Sequence, residues 1–353
     1  MSTSVSDLAS LAGTDSIFKF VGEGAANIVF EIIQPASSQN DILRGKLLRV
    51  PKARTHALNY EELQCYWETA IKPLFRDGEL VEQSLVRIGA GRHVLSDLNS
   101  VLAEFETTRR RDFQGSRVDE EAEYGMLVDD MRKKNPDDTV LEFKPKWIFQ
   151  SPNAPFNAKR CRNCAKATLR ASDSRRSDGV VNGGGGTPPP SYITDSPVLC
   201  SIDVLESKLN HRARDRVLAI ITENLLQPAD PRFDRLKAWL ELNHLLPRLC
   251  NLQRVNDDVF AGGCLEADPA QQHPKLELAM TLRDCTCFVR IPADPTEEVE
   301  AKLADLDKKN GAAKLRTWQA LERRLVEEGF YTAPKPREQW TCRLERGRED
   351  HEE

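Results

Sequence analysis

The chain has 353 residues, a hydrophobic fraction of 40% and a formal net charge of −5 at neutral pH. This length is enough for one large domain or two ordinary ones, and the apolar content is enough for a packed core. The net negative charge argues against nucleic-acid binding through bulk charge, so a polyanion site requires a local concentration of lysine and arginine. No run approaches the roughly 18 apolar residues of a membrane-spanning helix.

The N-terminal stretch MSTSVSDLASLAG lacks the basic and apolar regions of a secretory signal, so we expect none. We predict that residues 1–16 are flexible. The chain has nine cysteines, an odd number without a short secreted framework around it, which is typical of reduced thiols. We therefore expect a protein of the nucleus or the cytoplasm.

The first half of the chain has mostly the patterns of strands. Residues 17–33 predict two strands around a glycine-rich turn, and 46–53 a third strand that ends near Pro51. Residues 57–75 have the apolar spacing of a helix. Strand-rich sequence follows, up to 125–131 and 140–149. These patterns indicate an α+β region with a mainly antiparallel sheet.

The second half is predicted to be richer in helix. It begins with a segment of glycine, proline and serine at 171–191, which we predict to be a disordered insertion. Then come helical patterns at 205–227 and 232–253, an apolar strand at 285–291 and a helix-like region at 295–331. The layout predicts a sheet-rich N-terminal lobe over 17–134, a larger helix-rich lobe over 135–331 and a charged tail over 332–353.

The turn GEGAAN, residues 22–27, is a candidate phosphate-binding loop. Glycine has no Cβ, so backbone N–H groups in such a turn can approach a phosphate closely. The turn is neither a Walker A loop nor a Rossmann fingerprint, because no Gly-Lys-Ser/Thr follows and the next segment is strand-like. An ordinary hairpin remains the alternative.

Basic residues form three groups in this acidic chain, although a solvated surface is the usual reason for such groups. The groups are Arg49, Lys52 and Arg54; Arg109, Arg110 and Arg111; and Lys159, Arg160, Arg162, Lys166 and Arg170. Charges on ordinary surfaces are mixed in sign, and these are not. The pattern therefore favours sites for anions.

The stretch VLEFKPKW, residues 140–147, combines one acid and two lysines with apolar residues. In an extended chain Glu142, Lys144 and Lys146 share one face, because side chains alternate. Protein kinases place a strand lysine beside a glycine-rich loop to hold ATP phosphates. An edge strand protected by lysine and proline is the alternative.

Two further acidic segments suit phosphoryl transfer, which needs one acid to orient the attacking hydroxyl and another to hold Mg²⁺. Asp284 precedes an apolar strand, and Asp305 and Asp307 stand beside Lys308 and Lys309. The composition of 297–309 is helical, which conflicts with the usual place of a metal-binding aspartate at the end of a strand or in a loop.

The cysteines of CRNC, residues 161–164, supply half of a structural zinc site, which needs four ligands. Cys285 and Cys287 fall on opposite faces of a strand. Buried or free thiols are therefore the expected state of all of them.

With GEGAANIVF, KLLRVPKA, EFKPKW, CRNC, LRDCTCFVRI and DLDKK in that order, the chain resembles the inositol-pentakisphosphate 2-kinases, and within them the fungal branch. Residues 142–146 match the family signature Glu-x-Lys-Pro-Lys fully. The resemblance runs from about residue 17 to 331. It implies a two-lobed fold similar to protein kinases, and transfer of the ATP γ-phosphate to the 2-hydroxyl of inositol 1,3,4,5,6-pentakisphosphate, giving inositol hexakisphosphate.

The resemblance also implies roles for particular residues. Asp284 would be the catalytic acid-base residue, assisted by Lys144 and Lys146, and Asp305 would hold Mg²⁺. ATP would be bound by Gly24, Ala25, Ala26, Asn27, Arg49, Asp130, Met131, Arg132, Glu142 and Lys144. The inositol phosphate would be bound by Arg54, Arg110, Arg111, Lys146, Arg162, Lys166, Arg170 and Lys309.

The chain departs from the family pattern in three places. The family's Asn-Asn-x-Arg region is replaced by PADPRFDRLKAW, where Arg232 or Arg235 is the alternative arginine. The basic contact after Lys309 is uncertain, with Lys314 as a candidate. Plant and animal members carry a zinc-bearing insertion, and no matching Cys/His set occurs here, which supports plain thiols for CRNC.

Two alternatives to this function are considered. The first is another small-molecule kinase or a protein kinase, and a protein kinase is disfavoured because His-Arg-Asp and Asp-Phe-Gly motifs are absent from the sequence. The other alternative is a non-catalytic module that binds inositol polyphosphates or RNA. For the kinase reading we expect a monomer whose partners are inositol pentakisphosphate and ATP, without membrane attachment or direct nucleic-acid binding.

Overall fold

A computed structural model describes residues 5–13, 16–35, 40–55, 58–89, 92–180, 198–222, 225–257, 274–332 and 342–346. By its internal contacts the chain divides into two compact units, Met1–Arg132 and Lys133–Glu353, here called the N-terminal and C-terminal units.

The N-terminal unit is built on a five-stranded antiparallel sheet in the order β1-β2-β3-β5-β4. Its strands are β1 Ile17–Glu23, β2 Asn27–Ile33, β3 Lys46–Pro51, β4 Gln83–Arg87 and β5 Tyr124–Asp129. The predicted pair of strands around the glycine-rich turn is confirmed, as is the third strand ending at Pro51.

The helices of this unit are α1 Leu8–Ala12, α2 Tyr60–Tyr66 and α3 Arg92–Glu104. The helix predicted over 57–75 is confirmed as α2 with a π-helical turn to Ile71 and a 3₁₀ turn to Leu74. A strand-rich stretch was predicted where α3 lies. The flexible start is wrong for the described residues 5–13, because Leu8 is fully buried in the main core.

Burial explains both of these differences. Along β2, Ile28, Phe30 and Ile32 alternate with more exposed residues, so one face of the sheet is apolar. That face needs a cover, and buried leucines of α3 join the same core, as does Leu8. Apolar periodicity within one segment does not show which distant segment will cover it.

The C-terminal unit contains a three-stranded antiparallel sheet, β6-β7-β8. The strands are β6 Thr139–Phe143, β7 Thr286–Ile291 and β8 Glu300–Ala304. Phe143 pairs with Cys287 and Thr286 pairs with Ala304. The end of β6, the start of β7 and the end of β8 therefore lie at one end of the sheet.

The described C-terminal unit also contains eight helices. They are α4 Arg162–Val180, α5 Ser201–Glu206, α6 His211–Thr222, α7 Pro231–Leu242, α8 Leu245–Val255, α9 Pro274–Leu282, α10 Gly311–Glu327 and α11 Arg343–Arg346. The helical patterns predicted at 205–227 and 232–253 are confirmed in part, because each is divided into two helices, α5 and α6 in the first and α7 and α8 in the second. Two antiparallel sheets with helices confirm the α+β class, and no helix of the described residues is long and apolar enough to cross a membrane.

Three predictions for this unit are wrong in part. Helix α4 runs to Val180, so residues 171–180 are not a disordered insertion, and 181–191 lie outside the described residues. The strand predicted over 140–149 ends at Phe143. The helix predicted over 295–331 is a strand at Glu300–Ala304, because pairing with β7 along its whole length outweighs the local helical preference.

Candidate active site

Three predicted motifs meet at one end of the C-terminal sheet. Lys144 and Lys146 follow β6, Asp284 lies two residues before β7, and Asp305 follows β8 directly. The antiparallel register brings these positions together although 138 residues separate Lys146 from Asp284. The strand end also removes the conflict over Asp305, since this aspartate does not lie within a helix.

The carboxylate of Asp284 accepts hydrogen bonds from two lysines. Lys146 Nζ lies 2.5 Å from Asp284 Oδ1, and Lys309 Nζ lies 2.9 Å from Asp284 Oδ2. Burial by itself would raise the pKa of Asp284, but the charges and hydrogen bonds of Lys309 and Lys146 outweigh it and lower that pKa well below its usual range. The group is therefore an oriented carboxylate at neutral pH.

Asp305 is the second acid of the site. Its Oδ2 lies 3.4 Å from Lys144 Nζ and accepts a hydrogen bond from the Thr286 hydroxyl. The side chain remains 56% exposed. An exposed carboxylate suits Mg²⁺, which binds through one or two carboxylates, phosphate oxygens and several waters.

Backbone strain coincides with predicted site residues. Among the described residues, the non-glycine positions with positive φ are Arg54 at 59°, Lys146 at 54° and Asp305 at 60°. All three were predicted from the sequence to bind substrate or metal. Strained conformations of this kind persist where the surroundings hold them, and they cluster at functional sites.

The side chains of EFKPK alternate between exposed and buried positions as predicted, although the strand is shorter than expected. Glu142 and Lys144 are exposed and Lys146 is half-buried, whereas Phe143 and Pro145 are buried. The acid and both lysines line one cavity of about 750 Å³ in the C-terminal unit. The prediction that they share a side is therefore confirmed.

Helix α4 supplies another wall of this cavity. Arg162, Lys166 and Arg170 are spaced four residues apart, so they follow one face of the helix, and all three line the cavity. In total the lining contains eight basic side chains, namely Lys144, Lys146, Arg162, Lys166, Arg170, Arg283, Lys309 and Lys314. The acids among the lining residues are Glu142 and Asp284.

The positive charge inside this cavity is only partly neutralised. Burial, together with the nearby charges of Arg170, Arg162 and Lys146, lowers the pKa of Lys166 to about 8. Neither Lys166 nor Arg170 forms an ion pair with another described residue. A bound anion with several negative charges would neutralise the positive charge of Lys166 and Arg170, so the cavity favours such a ligand.

Arg162 is more constrained than a free substrate contact. Its Nε donates to Glu322 Oε2 at 2.7 Å in a buried ion pair, and its guanidinium lies 4.2 Å from the centre of the Trp147 ring. Glu322 also accepts from Ser151 Oγ at 3.0 Å and from the Tyr331 hydroxyl at 2.6 Å. Arg162 therefore contributes both to the packed wall of the cavity and to its positive charge.

Sequence reasoning missed Gln253, a fully buried residue of α8. Its Nε2 donates to the carbonyl oxygens of Lys146 at 2.8 Å and Leu282 at 3.0 Å, and its Oε1 accepts from the Ile148 N–H at 3.1 Å. Gln253 thus ties the strained Lys146 backbone to the segment before Asp284. A single glutamine in a helical pattern carries no signal of this role.

Arg283 was also missed. It lines the cavity, stacks 4.7 Å from the centre of the Trp147 ring and pairs with Asp257 at 2.5 Å. Burial lowers its pKa to about 10, so it remains charged at neutral pH. Its position beside Asp284 in LRDC was the one available signal.

Arg232 and Arg235, the two alternative arginines, hold structural contacts instead of lining the cavity. Arg232 pairs with Asp230 at 2.6 Å, and Arg235 donates to the carbonyl oxygen of Pro292 at 2.5 Å. Lys314, the candidate for the contact after Lys309, does line the cavity.

The predicted ATP residues 24–27 and 49 lie in the N-terminal unit. The turn between β1 and β2 is closed by the Gly24 N–H, which donates to the Asn27 carbonyl at 2.9 Å. A Cβ added to Gly24 would meet nothing within 4 Å, so space is open above the turn. Arg49 is buried, with its guanidinium 5.4 Å from the Tyr60 ring centre.

Of the other predicted residues of this unit, the four arginines are exposed. Arg132 pairs with Asp130 at 2.7 Å and Glu31 at 3.0 Å, and Met131 between them is buried. Arg110 pairs with Asp112 at 3.1 Å. Arg54 and Arg111 are exposed. The structure thus groups Lys144, Lys146, Arg162, Lys166, Arg170, Asp284 and Lys309 around one cavity, and places Gly24, Arg49, Arg54, Arg110, Arg111 and Arg132 in the other unit.

The family model of inositol-pentakisphosphate 2-kinases matches residues 20–324. The chain belongs to this family. An inositol-pentakisphosphate 2-kinase of Yarrowia lipolytica (strain CLIB 122 / E 150) is 26% identical over 195 residues, which are 55% of this chain and 54% of that protein. The match thus spans about half the length of this curated relative. The family resemblance inferred from the motifs is confirmed.

Proposed function

We propose that this protein transfers the γ-phosphoryl group of ATP to the 2-hydroxyl of inositol 1,3,4,5,6-pentakisphosphate, giving inositol hexakisphosphate and ADP. The observation that carries the proposal is the cavity whose lining combines eight basic side chains with the carboxylates of Glu142 and Asp284. Five phosphates on one small ring need this density of charge-assisted contacts, and arginine suits the bidentate ones. The family membership supports the same substrate.

Asp284 orients the attacking hydroxyl in this proposal. As the bond from the hydroxyl oxygen to the γ-phosphorus forms, the bond from that phosphorus to the β–γ bridging oxygen breaks, and ADP leaves. The hydroxyl proton passes to an oxygen of Asp284 late in the reaction, because the transition state is loose. Lys146 and Lys309 hold this carboxylate in place, and the same two lysines are placed to contact substrate phosphates.

Asp305 fits Mg²⁺ by the exposure and the position of its carboxylate. The ion, when bound, neutralises charge on the phosphate oxygens of ATP. Lys144, 3.4 Å from Asp305, is placed to contact the same phosphates. Glu142 lines the cavity beside it and is the proposed further contact to the nucleotide.

The proposal includes a two-lobed, protein-kinase-like fold in which the N-terminal unit supplies the remaining ATP contacts. Its support within that unit is the antiparallel sheet with an open glycine-rich turn between the first two strands. Arg54, Arg110 and Arg111 remain proposed substrate contacts. We propose that the protein acts as a monomer in the nucleus or the cytoplasm.

The direct test is an assay of purified protein with labelled ATP, Mg²⁺ and inositol 1,3,4,5,6-pentakisphosphate. We expect inositol hexakisphosphate as product, and loss of most activity in Lys309→Ala, because Lys309 holds Asp284. Lys159→Ala is the matched control, since Lys159 is exposed and does not line the cavity. Tight binding of the pentakisphosphate without product would instead support the non-catalytic module.

The pKa of Lys166 predicts a pH dependence of substrate binding. Bound phosphates favour the charged lysine, whereas the free protein loses this charge above about pH 8. The KM for the pentakisphosphate should therefore be steady below that pH and rise as the pH increases through it. Initial rates between pH 6.5 and 9.5 measure this.

The control for this dependence is Lys166→Arg, because arginine keeps its charge over the whole range. We expect this variant to lack the rise in KM, while changes in substrate ionisation affect both proteins equally. The same rise in Lys166→Arg as in the natural protein would assign the pH effect to another group.

A further inference from the structure

Four cysteines from distant parts of the chain form one buried cluster in the C-terminal unit. Cys161 and Cys164 flank the start of α4, Cys200 precedes α5 and Cys342 precedes α11. Their Sγ atoms all lie within 4.8 Å of one another, and the four residues are between 0% and 8% exposed. CRNC by itself supplies two of the four thiols that a structural zinc site needs, and folding brings Cys200 and Cys342 beside them.

The spacing of the sulfurs suits a single tetrahedral ion. Four sulfurs bound about 2.3 Å from a zinc ion lie about 3.8 Å from one another. Cys200 Sγ and Cys342 Sγ are 3.8 Å apart. The backbone N–H of Cys161 also donates to Cys342 Sγ at 3.1 Å, the kind of outer contact that orients and stabilises a coordinating thiolate.

We propose that Cys161, Cys164, Cys200 and Cys342 bind one structural Zn²⁺ ion. Each coordinating thiol gives up its proton, and the ion offsets a concentration of negative charge that burial would otherwise forbid. Four protein ligands close the coordination shell and leave no position for water or substrate, so the ion is structural and not catalytic.

The ion would join three separate segments of the chain. It links the first turn of α4 to the segment that starts α5 and to the C-terminal segment at Cys342. Cys342 lies outside residues 20–324, the range that the family model matches. Helix α4 also carries Arg162, Lys166 and Arg170 along the cavity. The ion would therefore hold in place the helix that binds the substrate. This last consequence rests on the proposed function.

The test is the metal content of the full chain, purified without added zinc or chelator and dialysed. We expect one zinc ion per chain by elemental analysis, and its release when an organomercurial reagent blocks the thiols, followed with a chromogenic chelator. Cobalt(II) substitution should give the absorption of a tetrahedral thiolate site. None of these readouts requires ATP or inositol phosphate, so the site can stand even if the proposed activity fails.

Two variants locate the ligands. Cys164→Ser and Cys342→Ser should lose the ion and unfold at a lower temperature. Cys250→Ser, at a buried cysteine outside the cluster, and Cys65→Ser, at an exposed one, should keep it. If a cluster variant does not fold, thiol-reagent titration of the natural protein gives the same answer, since zinc release should follow the loss of four protected thiols.

Three results would overturn the proposal: a metal-free protein that binds no zinc when it is added back, bound iron in place of zinc, or two disulfide bonds among the four cysteines under native purification. If the ion also positions α4, removing zinc from protein that remains folded should raise the KM for the pentakisphosphate. The KM for ATP should rise less.

Discussion

Asp284→Asn is expected to lower kcat by about 10²- to 10⁴-fold, the usual contribution of a positioned acid-base group. The amide cannot accept the hydroxyl proton, although it occupies the same space between Lys146 and Lys309. Loss of the negative charge also frees both lysines for phosphate. The KM for inositol pentakisphosphate should therefore stay the same or fall. Steady-state kinetics with both substrates measure the two constants separately.

The matched control is Asp215→Asn on α6, where the aspartate is exposed and outside the cavity. We expect natural activity from it. A variant at Asp284 with unchanged kcat and a raised KM would show that this carboxylate organises binding and takes no part in the transfer.

Glu322→Gln is expected to cost about 3–5 kcal/mol of the free energy of unfolding, because it leaves the buried charge of Arg162 without its partner. Ser151 and Tyr331 also lose the charge of their common acceptor. For a domain of this size the midpoint of thermal unfolding should fall by roughly 10 °C. Thermal unfolding followed by circular dichroism measures the shift.

Glu327→Gln, at an exposed residue of the same helix that pairs weakly with Arg323 at 3.9 Å, should change stability by less than about 0.5 kcal/mol. A double variant, Arg162→Met with Glu322→Leu, should recover much of the lost stability, since neither charge of this pair remains buried. If the double variant is no more stable than Glu322→Gln, packing and not charge pairing explains the effect.

Short stretches of sequence were enough to predict the acidic and basic side chains of the cavity. The alternation of Glu142, Phe143, Lys144 and Pro145 correctly predicted which side chains are buried, because it depends only on neighbouring residues. Strand β8 could not be predicted, since the composition around Leu303 is helical and its partner strand β7 lies in another segment. Asp305 was chosen through the family resemblance, and the strand explains its position.

The reduced thiols show the same limit. CRNC by itself indicated two cysteines, and nothing in the spacing connects them to Cys200 or to Cys342, which is 181 residues from Cys161. Gln253 gave no signal for a similar reason, because its amide acts on backbone groups of two remote segments.

The sequence by itself determined the basic and acidic residues that are proposed to handle phosphate, their order along the chain and the family to which the chain belongs. These properties depend on local chemistry and spacing. Only the tertiary structure decided that Lys146, Asp284 and Asp305 meet at one end of a sheet, that Arg162 is held by Glu322, and that four cysteines share one buried site. Strand register and burial are non-local, and they arise from contacts between segments that no short stretch contains.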